Sequence, residues 1–160
     1  MILRDATAAD AGAVRALFRA LQAEEREIEA NRAPPEATDA HVDALLAWAA
    51  EGGLALLAEA PPAPAPVGLL IAGLKDEGPW VLPENRPHAE VSDLYVAPAR
   101  RRLGLARAML AEAEARFAAR GIRRMEIATL AANAPARRLY EAWSGGAPAL
   151  VVFAKPLKPS

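Results

Sequence analysis

The rhythm of apolar and polar positions changes repeatedly along the chain, and each change marks an element. Ile2–Ala6 is a short apolar-rich strand candidate. Thr7-Ala8-Ala9-Asp10 reads as a helix start, a hydroxyl with a carboxylate three residues on. Val14, Leu17, Phe18 and Leu21 follow at helical spacing, and the helix runs into the acidic stretch Glu24–Glu29. Pro34-Pro35 ends it. Thr38 opens a second predicted helix with Val42, Leu45, Leu46 and Ala49 on one face, stopped by Gly52-Gly53. Leu54–Ala58 and Val67–Leu74 read as strands joined by the Pro-rich connector Pro61–Pro66, and Lys75–Pro87 reads as a loop. Ala89–Val96 is the next strand. Leu103, Ala106, Leu110, Ala113 and Phe117 then recur at steps of three and four, a helix that begins near Arg102 and closes at Gly121. Arg124–Leu130 is a strand. Asn133 caps a short helix over Ala134–Trp143, Gly145-Gly146 breaks it, and Leu150–Ala154 is a final strand.

The predicted order is β-α-α-β-β-β-α-β-α-β. Helices alternate with strands only in part, so the fold class is mixed α/β, an α+β-like sheet with helices on its faces. The 160 residues fit one domain over 1–160. With 53% hydrophobic and 24% charged residues the chain has the composition of a globular protein. A net charge of −1 gives no global pull toward nucleic acid. The absence of cysteine excludes disulfides, cysteine nucleophiles and thiolate metal sites, and two distant histidines, His41 and His88, argue against a metal centre. No basic region followed by an apolar run stands at the start, and prolines interrupt the most apolar stretch, Leu54–Leu74. The expectation is a cytoplasmic protein with no signal peptide and no membrane span.

The strongest chemical signal spans Val91 to Ala106, where a strand passes through a short turn directly into a helix. A helix start exposes unpaired N–H groups and the positive end of the backbone dipoles, which favours an anion. Gly104 and Ala106 have almost no side chain, so a diphosphate can lie against the main chain there. Arg100, Arg101 and Arg102 add positive charge at the rim. The competing reading is a basic cap on an ordinary helix, but arginines at a helix N-terminus oppose its dipole unless an anion is expected there.

This pattern is accompanied by a second. Arg101-x-x-Gly104-x-Ala106, then helix, strand, and Asn133-x-x-Ala136-x-x-Leu139-Tyr140-Glu141 resembles the GCN5-related N-acetyltransferases, the GNAT superfamily, whose diphosphate motif is Q/R-x-x-G-x-G/A. The resemblance covers nearly the whole chain. It implies a mostly antiparallel sheet of six to seven strands with helices on both faces and strands 4 and 5 splayed. It implies that acetyl-CoA binds in that splay. The pantetheine arm would pair with the main chain of Leu94, Tyr95 and Val96, and the diphosphate would sit on the amides of Arg101, Arg102, Leu103, Gly104, Leu105 and Ala106. Asn133 would either cap its helix alone or cap it and also contact the coenzyme arm. The one departure is at the end: Leu139-Tyr140-Glu141-Ala142-Trp143-Ser144-Gly145-Gly146 lacks the Phe that commonly follows in the family.

The implied reaction is direct transfer of an acetyl group from acetyl-CoA to a primary amine, on a small molecule or a protein, in a ternary complex. An ammonium has no lone pair, so a base must take a proton, and the departing thiolate needs one back. By resemblance Tyr140 is the proton donor. Glu90, on the fourth strand, is the first choice for the base, directly or through water. Asp93, three residues on, falls on the opposite face by simple alternation unless a bulge intervenes, and Glu126 is a third option. The amide of Leu94 or Val96 would polarise the thioester oxygen. His88 reads as a surface residue and His41 as structural. Glu24–Glu29 either faces a cationic acceptor or is a solvated helix face. Homodimers are common in the resembling family. A non-catalytic acyl-CoA sensor of the same fold is the alternative function. A Rossmann-type nucleotide binder is excluded by the lack of G-x-G-x-x-G after the first strand.

Overall fold

The computed structural model describes residues 1–63 and 65–157; Pro64 of the predicted Pro61–Pro66 connector lies outside the described residues. Five strands form one sheet in the order β1-β2-β3-β4-β5: β1 Ile2–Asp5, β2 Leu54–Glu59, β3 Gly68–Asp76, β4 Pro87–Val96 and β5 Met125–Ile127. All neighbours are antiparallel except β4 and β5, which are parallel. Among the described residues four α-helices, α1 Ala11–Ile28, α2 Asp39–Ala50, α3 Leu105–Ala119 and α4 Ala134–Ser144, accompany the sheet. Among the described residues, no helix is long and apolar enough to cross a membrane.

The continuous apolar runs of β2 and β3 follow from burial on both faces. Leu56, Leu70, Ala72 and Val91 face a core closed by Met109, Leu110 and Phe117 of α3. Leu57, Leu69, Ile71 and Tyr95 face the other way, under Val14 and Phe18 of α1 and Val42 of α2. Each fully buried Leu or Ile contributes roughly 1.5–3 kcal/mol, so the two half-cores fix the sheet between its helical layers. Close approach of α2 needs Gly73: a Cβ there would lie 2.1 Å from Trp48 Cε2. The Trp48 indole N–H then donates to the Leu74 carbonyl at 3.1 Å. On the opposite edge Arg4 clamps Asp10 with both terminal nitrogens at 2.8 Å and donates from Nε to Glu59 at 2.6 Å, tying β1, β2 and the entrance of α1 together.

Four sequence expectations are corrected. The sheet has five strands, not six to seven, because Leu150–Ala154 forms no strand. The predicted strand Arg124–Leu130 pairs only over Met125–Ile127, because its ladder with β4 stops at Val91, where the register of β4 shifts. The helix expected from Arg102 starts at Leu105, because Arg102 (φ 63°) and Gly104 (φ 80°) are left-handed. Thr38 precedes α2 as expected, but its hydroxyl donates backward to the Pro35 carbonyl at 2.6 Å instead of accepting from the helix.

Candidate active site

The site lies where β4 outruns β5. Their pairing ends at Val91 opposite Ile127, while β4 continues to Val96. Below that point Ser92, Asp93 and Leu94 on one side, and Ile127, Ala128 and Thr129 on the other, line a small cleft of about 60 Å³. Its remaining walls come from Leu21 and Glu25 of α1, from Asn133 at the head of α4, and from Ala136 and Tyr140 within it. The predicted splay of strands 4 and 5 is therefore present as a parting of the sheet.

A bulge sets the direction of the carboxylates. Ile71 pairs with Asp93 but Ala72 pairs with Val91, so Ser92 is an extra residue on β4. Its hydroxyl donates to the Ile71 carbonyl at 3.3 Å. The extra residue cancels the alternation that separates positions three apart. Glu90, opposite Gly73 beneath Trp48, and Asp93, opposite the buried Ile71, thus fall on the same side of the sheet, toward α1 and α2. They do different things there. Glu90 accepts from Lys75 Nζ at 2.6 Å and is not among the cleft residues. Asp93 lines the cleft, and burial pushes its carboxyl above the usual carboxylate range against weaker lowering by Ser92 and His41.

Tyr140 reaches the same cleft from α4. Burial, and then the charges of Glu25 and Asp93, push its phenol well above the ordinary tyrosine value, so it is held protonated. Asn133 caps α4 as predicted, its Oδ1 accepting from the Ala136 amide at 3.2 Å. The Ala97 amide donates to the carbonyl of Val67, the residue before β3, at 2.8 Å. Backbone direction alternates along a strand, so the amides of Val96 and Leu94 turn the other way, to the edge that β5 leaves open.

Beyond β4 the chain turns through Pro98–Arg100 into α3. Among the described residues, none of the amides from Arg102 to Arg107 has an acceptor, whereas the Ala108 amide bonds the Gly104 carbonyl at 2.9 Å and the helix ladder begins. Amides gathered at a turn with left-handed residues, in front of a helix N-terminus, form an anion-binding concavity. A Cβ at Gly104 would meet nothing within 4 Å. The space over this glycine is open, as a diphosphate laid against the main chain requires. The Arg101 amide is already bonded to the Pro98 carbonyl at 3.2 Å. Its guanidinium stacks over the Tyr95 ring at 5.6 Å, donates from Nε to the Val96 carbonyl at 2.8 Å, and reaches Glu24 on α1.

His88, Glu126 and His41 fall outside the cleft. His88, read as a surface residue, is only 2% exposed, with Nε2 3.8 Å from Glu126. Glu126 also contacts Arg124 and is not among the cleft residues. His41 stands edge-on to Phe18 with ring centres 5.7 Å apart. Of the acidic stretch, Glu25 lines the cleft and lies 3.5 Å from Arg32, while Glu24 holds Arg101 and accepts from the Tyr95 hydroxyl at 3.2 Å. Sequence reasoning left Glu25 undistinguished within its charged run. It had no signal for Ser92 as the bulge.

The family model described as "Acetyltransferase (GNAT) family" matches residues 16–145. Among solved structures, a GCN5-related N-acetyltransferase from Ralstonia eutropha superposes with a TM-score of 0.72 at 25% identity, covering 98% of this chain and 97% of that one. A mutant of the BH1408 protein from Bacillus halodurans gives a TM-score of 0.72 at 20% identity over 99% of this chain and 100% of that one. The aminoglycoside N-acetyltransferase AAC(6')-Iy, in complex with CoA, gives 0.69 at 16% identity over 98% of this chain and 100% of that one. No curated protein sequence matches the chain.

Proposed function

The chain belongs to the acetyltransferase (GNAT) family, and from that premise we propose that it transfers the acetyl group of acetyl-CoA to a primary amine in a ternary complex. The observation that carries this reading is the meeting of Asp93 and Tyr140 in the cleft between β4 and β5, next to the amide-lined turn at Gly104. The amides of Arg102 to Ala106 would hold the diphosphate, and the open edge of β4 at Leu94 and Val96 would receive the pantetheine arm. Asn133 stands at the far wall of the same cleft, where its side-chain amide is free to donate to that arm while Oδ1 caps α4.

Acetyl-CoA supplies the thioester whose carbonyl carbon is attacked. Asp93, kept dry and with a raised pKa, accepts a proton from the entering ammonium, directly or through one water. A base raised from the ordinary carboxylate value loses less driving force against an amine than an exposed carboxylate does. The outward amide of Leu94 or Val96 donates to the carbonyl oxygen as negative charge gathers on it. As the N–C bond forms and the C–S bond breaks, Tyr140 gives its phenolic proton to the departing sulfur, and the second proton, shed by the new amide nitrogen, returns to the phenolate. Glu90, committed to Lys75, supports β4 and takes no part in this sequence.

The test is thiol release from acetyl-CoA against a panel of amines, read with a thiol reagent; the protein has no cysteine to contribute background. Turnover with at least one primary amine is expected. CoA binding without turnover across diamines, amino acids, aminoglycosides and lysine peptides would instead identify a sensor.

A further inference from the structure

Among the described residues, the charged side chains lining the cleft between β4 and β5 are two carboxylates, Asp93 and Glu25, with no cation beside them. The transfer uses Asp93 and leaves Glu25 unused. Glu25 stands one turn after Leu21 on the same face of α1, so an apolar wall leads along the cleft to a carboxylate. Its ionic partner is Arg32 of the loop after α1, at 3.5 Å, the longest arginine–carboxylate contact among the described residues. That is too long for a strong hydrogen bond. The Arg32 side chain is two-fifths exposed, and such pairs hold together weakly. The adjacent Glu24, by contrast, is fully engaged by Arg101 and Tyr95. A carboxylate in the last turn of a helix also meets the negative end of the backbone dipoles, which costs stability unless a cation lies there. Charge along the chain has the same polarity. Residues 1–96, which supply α1, α2 and β4, hold 16 Asp and Glu against seven Lys and Arg, whereas residues 97–160, which supply the turn at Gly104, α3 and α4, hold four against 12. An anionic coenzyme suits the second part, and the first draws a cation to the cleft from the other side.

Resting on the transferase reading above, we infer that Glu25 selects the acceptor and that the acceptor is a small aliphatic diamine or polyamine. Its reacting amine meets Asp93, its methylene chain lies along Leu21, and its second ammonium replaces Arg32 at Glu25. The exchange trades one loosely held cation for another, so it leaves no carboxylate bare. A neutral distal group would leave Glu25 with Arg32 alone, and an anionic one would meet the Glu25 charge at close range. Both are disfavoured against a dication, which is how a site discriminates.

The test is kcat/KM by thiol release with terminal diamines of increasing chain length, each set beside the amino alcohol and the amino acid of the same length. The distal group is then cationic, neutral or anionic on one scaffold. The best diamine is expected to exceed its amino alcohol by at least about 10-fold, the low end of what a hydrogen bond to a charged group contributes, and the amino acid to be the poorest of the three. Glu25→Gln should bring diamine and amino alcohol within about 3-fold of each other. The charge of Glu25 also bears on Asp93 and Tyr140, but that effect is common to both acceptors and cancels in the ratio. Glu27→Gln makes the same charge change at an exposed position of α1 outside the cleft, and should keep the preference. Equal rates, a preferred amino acid, a preference that survives Glu25→Gln, or one lost equally in Glu27→Gln would each overturn this inference alone. No turnover with any amine would overturn the transferase reading and this inference with it.

Discussion

A single terminal nitrogen of Arg101 donates to both carboxylate oxygens of Glu24, at 2.6 and 2.7 Å, and so ties the turn before α3 to the C-terminal part of α1. The same guanidinium holds the Val96 carbonyl through Nε. The arginine at the head of the diphosphate motif thus braces the turn with its side chain while the amides after it stay open. Both partners are about two-fifths exposed, so the pair itself is worth at most about 1 kcal/mol of stability.

Glu24→Ala should therefore change Tm by less than roughly 2–4 °C. Loosening the turn should raise KM for acetyl-CoA about 5-fold, which is about 1 kcal/mol, with kcat within roughly 2-fold. Steady-state kinetics with acetyl-CoA as the varied substrate checks this. An unchanged KM would mean that the turn keeps its shape without α1.

Gly104 sits at φ 80° with open space above its Cα. Valine there must accept a left-handed backbone, at roughly 1–2 kcal/mol, and sets two methyl groups where the diphosphate would lie. CoA affinity should fall at least about 10-fold by calorimetry. Gly104→Asn, which tolerates the left-handed conformation, should recover the stability but only part of the affinity. CoA binding to Gly104→Val at the parent affinity would move the diphosphate elsewhere.

Much of this arrangement was legible in the residues. The spacing of Arg101, Gly104 and Ala106 between a strand and a helix located the turn, and Asn133 located the cap of α4, because both depend on local backbone needs. The helix start was misplaced by three residues, since apolar periodicity does not reveal that Arg102 is left-handed. Glu90 and Asp93 could not be sorted from the sequence. Their relative directions depend on Ser92 being extra, and a bulge is set by the register of β3 against β4, a contact between distant segments. Leu150–Ala154 was misread for a related reason: strand composition gives a capacity to pair, and pairing needs an edge within reach.

Tyr140 is kept protonated by burial and by the charges of Glu25 and Asp93. Tyr140→Phe leaves the packing of the ring and removes the transferable proton. The expected result is a fall in kcat of roughly 10- to 100-fold, within the range of general acid catalysis, with CoA affinity near that of the parent. Single-turnover measurement of thiol release separates this from slow product release. A parent-like kcat would remove the phenol from the reaction.

The two β4 carboxylates make opposite predictions. Glu90 is paired with Lys75 away from the cleft, and both are partly exposed, so Glu90→Gln should leave kcat/KM within roughly 3-fold and cost at most about 1 kcal/mol. Asp93→Asn should lower kcat by at least about 100-fold. The parent's kcat should rise with pH through an acid limb above the ordinary aspartate value of about 3.9, and Asn at this position should abolish that limb. The stability effect has the reverse sign. Burial raises the Asp93 pKa in the folded state, so the folded protein holds this proton more tightly than the unfolded chain does. Its favourable contribution is complete below the unfolded value and is lost as pH rises through the folded one. At pH 7 the ionised, desolvated carboxylate opposes folding, and Asp93→Asn should raise Tm. The gain should shrink as pH falls below the folded value and vanish below the unfolded one, as thermal melts across that range would record. Loss of activity with a gain in stability at neutral pH is the expected signature of a buried base. If Asp93→Asn left kcat unchanged while Glu90→Gln abolished it, the bulge at Ser92 would have no part in aiming the base.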